Sequence, residues 1–227
     1  MKKIPTLFKR VFSPDHKTKT ILPEVTPGCE CVLEGICIPT IKWDGACCAI
    51  INGEIYKRYD AKIGKDGKQK MPPEGAIPCQ PEPDPITGHW PHWVKCVEGN
   101  PADKYFLAAL EKYKRRRVVL TLKYNYIPFD KEFSKSDKII TFEAIGPHYQ
   151  NNPYKLKDDD LARHGDPSFY PELLEDDNGN VTFDSIRNLL ANQKIGGIVF
   201  WHNGEPLCKI KRSDFGFEWP IKEKSND

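Results

Sequence analysis

No stretch of this chain approaches the roughly 20 apolar residues that a membrane-spanning helix needs, so none of it is expected to cross a bilayer. Residues 1–12 (MKKIPTLFKRVF) start with positive charge as a secretory leader does. Pro5, Lys9 and Arg10 break the apolar run, however, and no small-residue cleavage site follows, so a cytoplasmic location is expected. An excess of either charge is also missing. The 34 Lys and Arg against 32 Asp and Glu leave a formal charge of +2, so any nucleic acid would have to be held by a local basic patch. Neither the G-x-x-x-x-G-K-[ST] phosphate loop nor the G-x-G-x-x-G dinucleotide fingerprint occurs, and there is no internal repeat. None of the eight cysteines belongs to a C-x-x-C pair, and the adjacent Cys47 and Cys48 point to opposite faces of a strand. That spacing speaks against structural zinc and a disulfide framework; reduced, mostly buried thiols are expected.

What is present is an ordinary globular composition, 39% apolar and 29% charged, in 227 residues. A single α+β domain over 1–227 is expected, with a proline-rich loop or insertion at 64–93 and a tail at 221–227. Residues 36–41 (ICIPTI), 46–51 (ACCAII) and 54–59 (EIYKRY) are short β-type runs. Asn52-Gly53 joins the last two as a hairpin. Asp103 is placed to cap a helix through DKYFLAALEKYKRRR, whose cationic end (Lys112, Lys114, Arg115, Arg116, Arg117) suits either a solvated helix C-terminus or an RNA contact. RVVLTLKYNYIPF then reads as β-rich, KIITFEAIG as an alternating strand, and the acidic 155–180 as loop. FDSIRNLLANQK, capped by Thr182, reads as a second helix, followed by a hairpin of IVFWH and EPLCKIK around Asn203-Gly204.

Within this pattern Lys42 stands out, an ammonium at the end of an apolar strand and followed by Asp44-Gly45. A lysine used as a nucleophile must lose its proton near neutral pH, through desolvation or neighbouring cations. Lys209 and Lys211, alternating on one strand, are candidates for those cations and for neutralising a phosphate under attack. Arg58, Glu143 and the Gly196-Gly197 strand complete the set.

Lys42-Trp43-Asp44-Gly45 resembles the K-x-D-G adenylation motif of the covalent nucleotidyltransferases: ATP-dependent DNA ligases, RNA ligases and mRNA capping enzymes. Arg58 in YKRYDAK, Glu143 in TFEAIGPHYQNNPY, IGGIVFW and CKIK follow in the order of that superfamily's motifs. WDGACC, DPITGHWPHWV, IGPHYQNNPY and FGFEWPI further resemble the single-domain 5′-to-3′ RNA ligases related to the human autoadenylating RNA ligase. The resemblance implies two antiparallel β-sheets with flanking helices around an ATP cleft, with no C-terminal OB domain, since about 16 residues follow Lys211 where an OB-fold needs on the order of 100. It implies an ATP-dependent RNA ligase acting in RNA repair, with magnesium or manganese as metal. Lys42 attacks the α-phosphate of ATP to form lysyl-AMP, the AMP passes to a 5′-phosphate RNA end, and a 3′-hydroxyl displaces it. Lys42, Asp44, Arg58, Glu143, Lys209 and Lys211 take the ATP-binding positions, with Asp44 bracing the loop.

One position departs from the resemblance. The fourth motif begins Glu-Gly in the family, where the glutamate serves the metal; here it is Gly196. Glu143 is then the candidate metal residue, and two alternatives stay open: a nucleotidyltransferase with a non-RNA acceptor, and a weakened relative that binds RNA ends. Lys62, with Lys65, Lys68 and Lys70, is a candidate RNA contact or a solvated face. His89, Trp90, His92 and Trp93 suit base stacking, metal binding or, preferentially, a packed loop over the sheet edge. No protein partner is expected.

Overall fold

The computed structural model describes residues 4–14, 19–85, 87–124, 132–133, 138–167 and 171–221. Among them the regular elements are β1 (Phe8–Phe12), β2 (Lys19–Val25), β3 (Ile38–Ile41), β4 (Ala46–Ile51), β5 (Glu54–Ala61), β6 (Ile77–Pro78), β7 (Trp90–Lys95), α1 (Lys104–Tyr124), β8 (Ile140–Ile145), β9 (Asp160–Arg163), α2 (Phe183–Asn192), β10 (Gly197–His202) and β11 (Glu205–Lys211). The protein is mixed α+β, and among the described residues the strands form three sheets, where two were expected, ordered β1-β2, β11-β10-β3 and β6-β7-β5-β4-β8-β9. They pack as two compact units, one from Gly45–His164 and one from Lys3–Asp44 with Gly165–Asp227. No described helix is long and apolar enough to cross a membrane.

The first unit holds the six-stranded antiparallel sheet. Asn52 and Gly53 turn β4 into β5 with φ of 52° and 78°, the double positive φ that the tightest hairpin turn requires. Alternation along β4 sends Cys48 and Ile50 to a core with Phe106, Leu110, Tyr113 and Phe142. Ala49 and Ile51 go to the opposite face, against Trp93.

Helix α1 runs on to Tyr124, through much of the segment read as β-rich; residues 125–129 of that segment lie outside the described residues. The β-branched composition does not stop the helix. The cationic run falls inside the helix rather than at its end: Arg116 pairs with Asp160 at 2.7 Å, Lys112 lies 3.2 Å from the Asp159 carbonyl, Lys114 bonds Glu111, and buried Arg117 bonds Glu132, which also holds Arg163. Those acids come partly from β9, which the sequence presents as loop. Leu161, 2% exposed, is what ties that strand to the core. The HWPHW segment is likewise strand β7, paired with β5 from Tyr56↔Lys95 to Ala61↔Trp90. Pro91, which lacks an N–H, contributes its carbonyl to Cys79 N–H at 2.9 Å.

The second unit is built around the three-stranded sheet and α2. Thr182 caps α2 reciprocally with Ser185. Buried Arg212 closes the other end, donating to the carbonyls of Leu190, Ala191 and Gln193, where a cation suits the helix dipole. Ile186 and Leu190 meet Ile198, Phe200, Cys208 and Ile210 in the core, together with Leu7 and Phe8.

Two outcomes test this packing. Replacing Glu132 by Gln should destabilise the first unit by about 3 kcal/mol in urea unfolding, because the charge of the buried Arg117 loses its partner. Burial pushes the Cys47 and Cys96 thiols up to about 12 from the usual 9.0, with Glu143 adding to the first and Asp103 to the second. Unfolded thiols ionise first, so stability should be full below pH 9.0 and fall as pH rises towards about 12. The slope should be at most about 1.4 kcal/mol per pH unit per thiol, read from urea midpoints on both sides of that onset.

Candidate functional site

In the second unit, antiparallel pairing fixes where the candidate lysines lie. Ile198↔Ile41 through Trp201↔Ile38 sets β10 against β3. One residue beyond β3, Lys42 N–H donates to the Gly197 carbonyl at 2.9 Å. On the other side of β10, Gly197 pairs with Lys211 and Val199 with Lys209. Paired residues of a sheet share a face, and so do residues two apart. Lys42 and Lys211 therefore flank Gly197 in one row, with Lys209 in the next row beside Val199 and Thr40. The intervening Ile198 and Ile210 go to the core side, 0% exposed. Each lysine is half-buried.

The neighbours of that row hold it in place. Residues 5–7 run along the outer edge of β11, Lys209 N–H donating to Pro5 O and accepting from Leu7 N–H through its carbonyl, at 3.0 and 2.8 Å. Asp214, 3% exposed, accepts from Lys211 N–H at 2.9 Å and from Arg10 at 2.8 Å. Neither Arg10 nor Asp214 carries a motif signal in the sequence.

Gly196 is where the second unit is most distinctive. A Cβ there would lie 2.9 Å from the Trp219 indole, at both Cε2 and Nε1. The same Nε1–H donates to Asp44 Oδ2 at 3.1 Å. The space a glutamate would enter is thus occupied by a ring that orients the motif aspartate. Asp44 is thereby tied to a partner that the sequence shows only as part of FGFEWPI.

In the first unit, Cys47 on β4 pairs with Glu143 on β8. Arg58 on β5 pairs with Trp93 on β7. The β4–β5 register, Cys48↔Lys57 onward, sets Arg58 beside Cys47. Glu143 and Arg58 thereby share one sheet face and line a cavity of about 470 Å³ with Gly45, Cys47, Lys57 and Asp60. The Glu143 carboxylate takes Gly45 N–H on Oε1 at 3.1 Å and meets His164 Nε2 from Oε2 at 3.2 Å; His164 Nδ1 in turn lies 2.9 Å from Thr141 Oγ1. Gly45 makes this approach because it has no side chain: a Cβ would stand 2.1 Å from the Ala144 carbonyl.

Arg58 is matched by Asp60 on its own strand, at 3.0 Å from Nε. The i,i+2 spacing makes that partner readable from sequence. Lys57 reaches Asp103 at 2.5 Å, and Asp103 also accepts from Val97 N–H, so its carboxylate serves the strand as well as preceding α1. His164 gives no such signal, because it follows a strand that reads as acidic loop.

Other candidates are accounted for by packing. His92 and Trp93 are 1% and 2% exposed, His92 Nδ1 sits 2.9 Å from Trp90 O, and Trp90 Nε1–H donates to Gln80 O. The packed reading of that cluster holds for these two side chains, on a strand instead of a loop. Lys62, Lys65, Lys68 and Lys70 are all exposed. All eight cysteines are free thiols.

A bound magnesium would have to be served by Glu143. Each of its oxygens engages one partner and keeps a lone pair, which fits a cation that takes one or two carboxylates and holds the rest of its shell as water. Neither the family models nor the curated proteins compared with this chain give a match.

The packing at 196 makes a direct prediction. Gly196→Glu should lower the melting temperature, because Trp219 must leave its place and release Asp44. Combining it with Trp219→Ala should recover part of that loss in differential scanning calorimetry, whereas strictly additive losses would show that the two residues do not compete for space.

Proposed function

We propose that this protein is an ATP-dependent RNA ligase that joins 5′-phosphate and 3′-hydroxyl ends through a lysyl-AMP intermediate, built on a nucleotidyltransferase domain. The observation that carries the reading is the row in which Lys42 and Lys211 flank Gly197, with Lys209 in the next row of the same face. Three ammonium groups on one face make an anion site.

Lys42 Nζ, as a neutral amine, attacks the α-phosphorus of ATP; the N–P bond forms as the bond to pyrophosphate breaks, and one of the amine's two protons passes to solvent, leaving an N–H phosphoramidate. Lys209 and Lys211 hold the non-bridging oxygens as charge builds on them. Gly197, between Lys42 and Lys211, adds no side chain to the row, and a Cβ there would stand 2.4 Å from the Ile210 carbonyl. Within the first unit, Glu143, oriented by Gly45 N–H and His164, has the form of an acceptor for ribose hydroxyls, and Arg58, anchored by Asp60, offers its remaining N–H groups to a nucleotide. The cavity these two line falls within the range of small-ligand sites. A bound magnesium ion would supply charge neutralisation on the phosphates. The exposed lysines at 62, 65, 68 and 70 provide a basic segment for an RNA backbone.

A second reading, binding of RNA ends with little turnover, is favoured by Trp219 occupying the place of the fourth-motif glutamate. A non-RNA acceptor for AMP is the third outcome that assays separate.

The test strips bound nucleotide with pyrophosphate, adds ATP and magnesium, and reads intact mass. The unmodified chain should gain one AMP and Lys42→Ala none; an adenylated Lys42→Ala protein would remove Lys42 as the nucleophile. Lys209→Ala and Lys211→Ala should each slow adenylation by about 10²- to 10³-fold. Sealing of a 5′-phosphorylated RNA separates a ligase from an enzyme that adenylates but never joins, and RNA binding without either step identifies the second reading.

A further inference from the structure

Away from the lysine row, the second unit brings together three side chains that are distant in sequence. The donor atoms of Cys31, Cys37 and His202 all lie within 4.8 Å of one another. We infer that these three residues form a thiolate–imidazole site for a divalent zinc-class cation. The inference is independent of the ligase reading.

Local folding explains the meeting. Cys31 lies in the short helical turn Glu30–Val32. Backbone bonds from Gly35 N–H to Val32 O and from Ile36 N–H to Cys31 O, both 3.2 Å, fold the chain back so that Cys37 returns beside Cys31. Their sulfurs are 2.9 Å apart. Cys37 then leads into β3, and the β3–β10 register, which ends in Trp201↔Ile38, continues to set His202 opposite Cys37. The sheet therefore delivers the imidazole across 165 residues of sequence, which is why a search for paired cysteine spacing passes over it.

The chemistry of the donors selects the cation. Two sulfurs and one ring nitrogen suit zinc and disfavour magnesium or calcium, which take oxygen. With Zn–S bonds of about 2.3 Å, tetrahedral geometry separates two ligand sulfurs by about 3.8 Å, so the pair has to open by roughly 1 Å. Cys31 and His202 are half-buried while Cys37 is buried, so the cluster is reachable from solvent and leaves a fourth position for water or an added ligand. Cys29 and Cys208, 1% and 0% exposed, stay on the core side. Binding releases the two thiol protons to solvent.

The test uses the full chain, reduced and chelator-treated, titrated with Co²⁺ and then Zn²⁺. One equivalent of cobalt should give a thiolate-to-cobalt charge-transfer band with tetrahedral visible bands, and zinc should displace it. Zinc, but not magnesium, should raise the melting temperature. Cys31→Ser and Cys37→Ser should abolish the charge-transfer band or shift it, and His202→Gln should weaken zinc binding at least about tenfold, while Cys79→Ser leaves binding unchanged. Absence of the band in the reduced unmodified chain would overturn the inference whatever the variants do. So would a cysteine pair that is recovered only as a Cys31–Cys37 disulfide, two hydrogen atoms lighter, and takes up no metal after reduction.

Discussion

The hydrogen bond from Lys42 N–H to the Gly197 carbonyl is the constraint on which the second unit's candidate chemistry depends. It extends the β3–β10 pairing by one residue past the end of the strand, and antiparallel geometry then decides the rest. With Gly197 paired to Lys211 on its other side, three lysines from two distant parts of the sequence come to one face and their apolar neighbours to the other. A slip of one residue along β11 would turn Lys209 and Lys211 into the core with Ile186 and Leu190. The cost of burying unpaired charge therefore reinforces the register that hydrophobic alternation already favours.

Around this row the charged groups divide into those that orient backbone and those that face outward. Asp214, Arg10 and Arg212 spend their charge on the Lys211 amide, on each other and on the end of α2. In the first unit, the Asp60 and Asp103 carboxylates hold Arg58 and Lys57, and His164 meets Glu143. Side chains so anchored lose little further freedom when a ligand arrives, which is the physical meaning of a preorganised site.

Much of this was legible in the sequence where local chemistry decides structure. The two Asn-Gly turns, the strands they join, the Thr182 cap and the one-face placement of Lys209 with Lys211 follow from rules spanning two to four residues. The extension of α1 to Tyr124 was hidden by a β-branched run, β7 by prolines and β9 by acids; for the two strands the partners that decide the outcome, β5 and β8, lie elsewhere in the sequence. Trp219 at Gly196 and the meeting of His202 with Cys31 and Cys37 are of the same kind. Gly196 reads as a missing carboxylate, and only packing reveals that the space has been given to an indole.

The ion pairs along α1 carry a consequence for polyelectrolyte behaviour. Binding to a nucleic acid strand displaces condensed counterions in proportion to the phosphates newly neutralised, with a salt slope of about −0.7 per phosphate on a single strand. Lys112, Lys114, Arg116 and Arg117 already have acidic partners within the protein. These four cations of the densest positive run in the sequence thus release few ions, and the exposed lysines near residue 65 would contribute more to the ionic-strength dependence of any RNA complex.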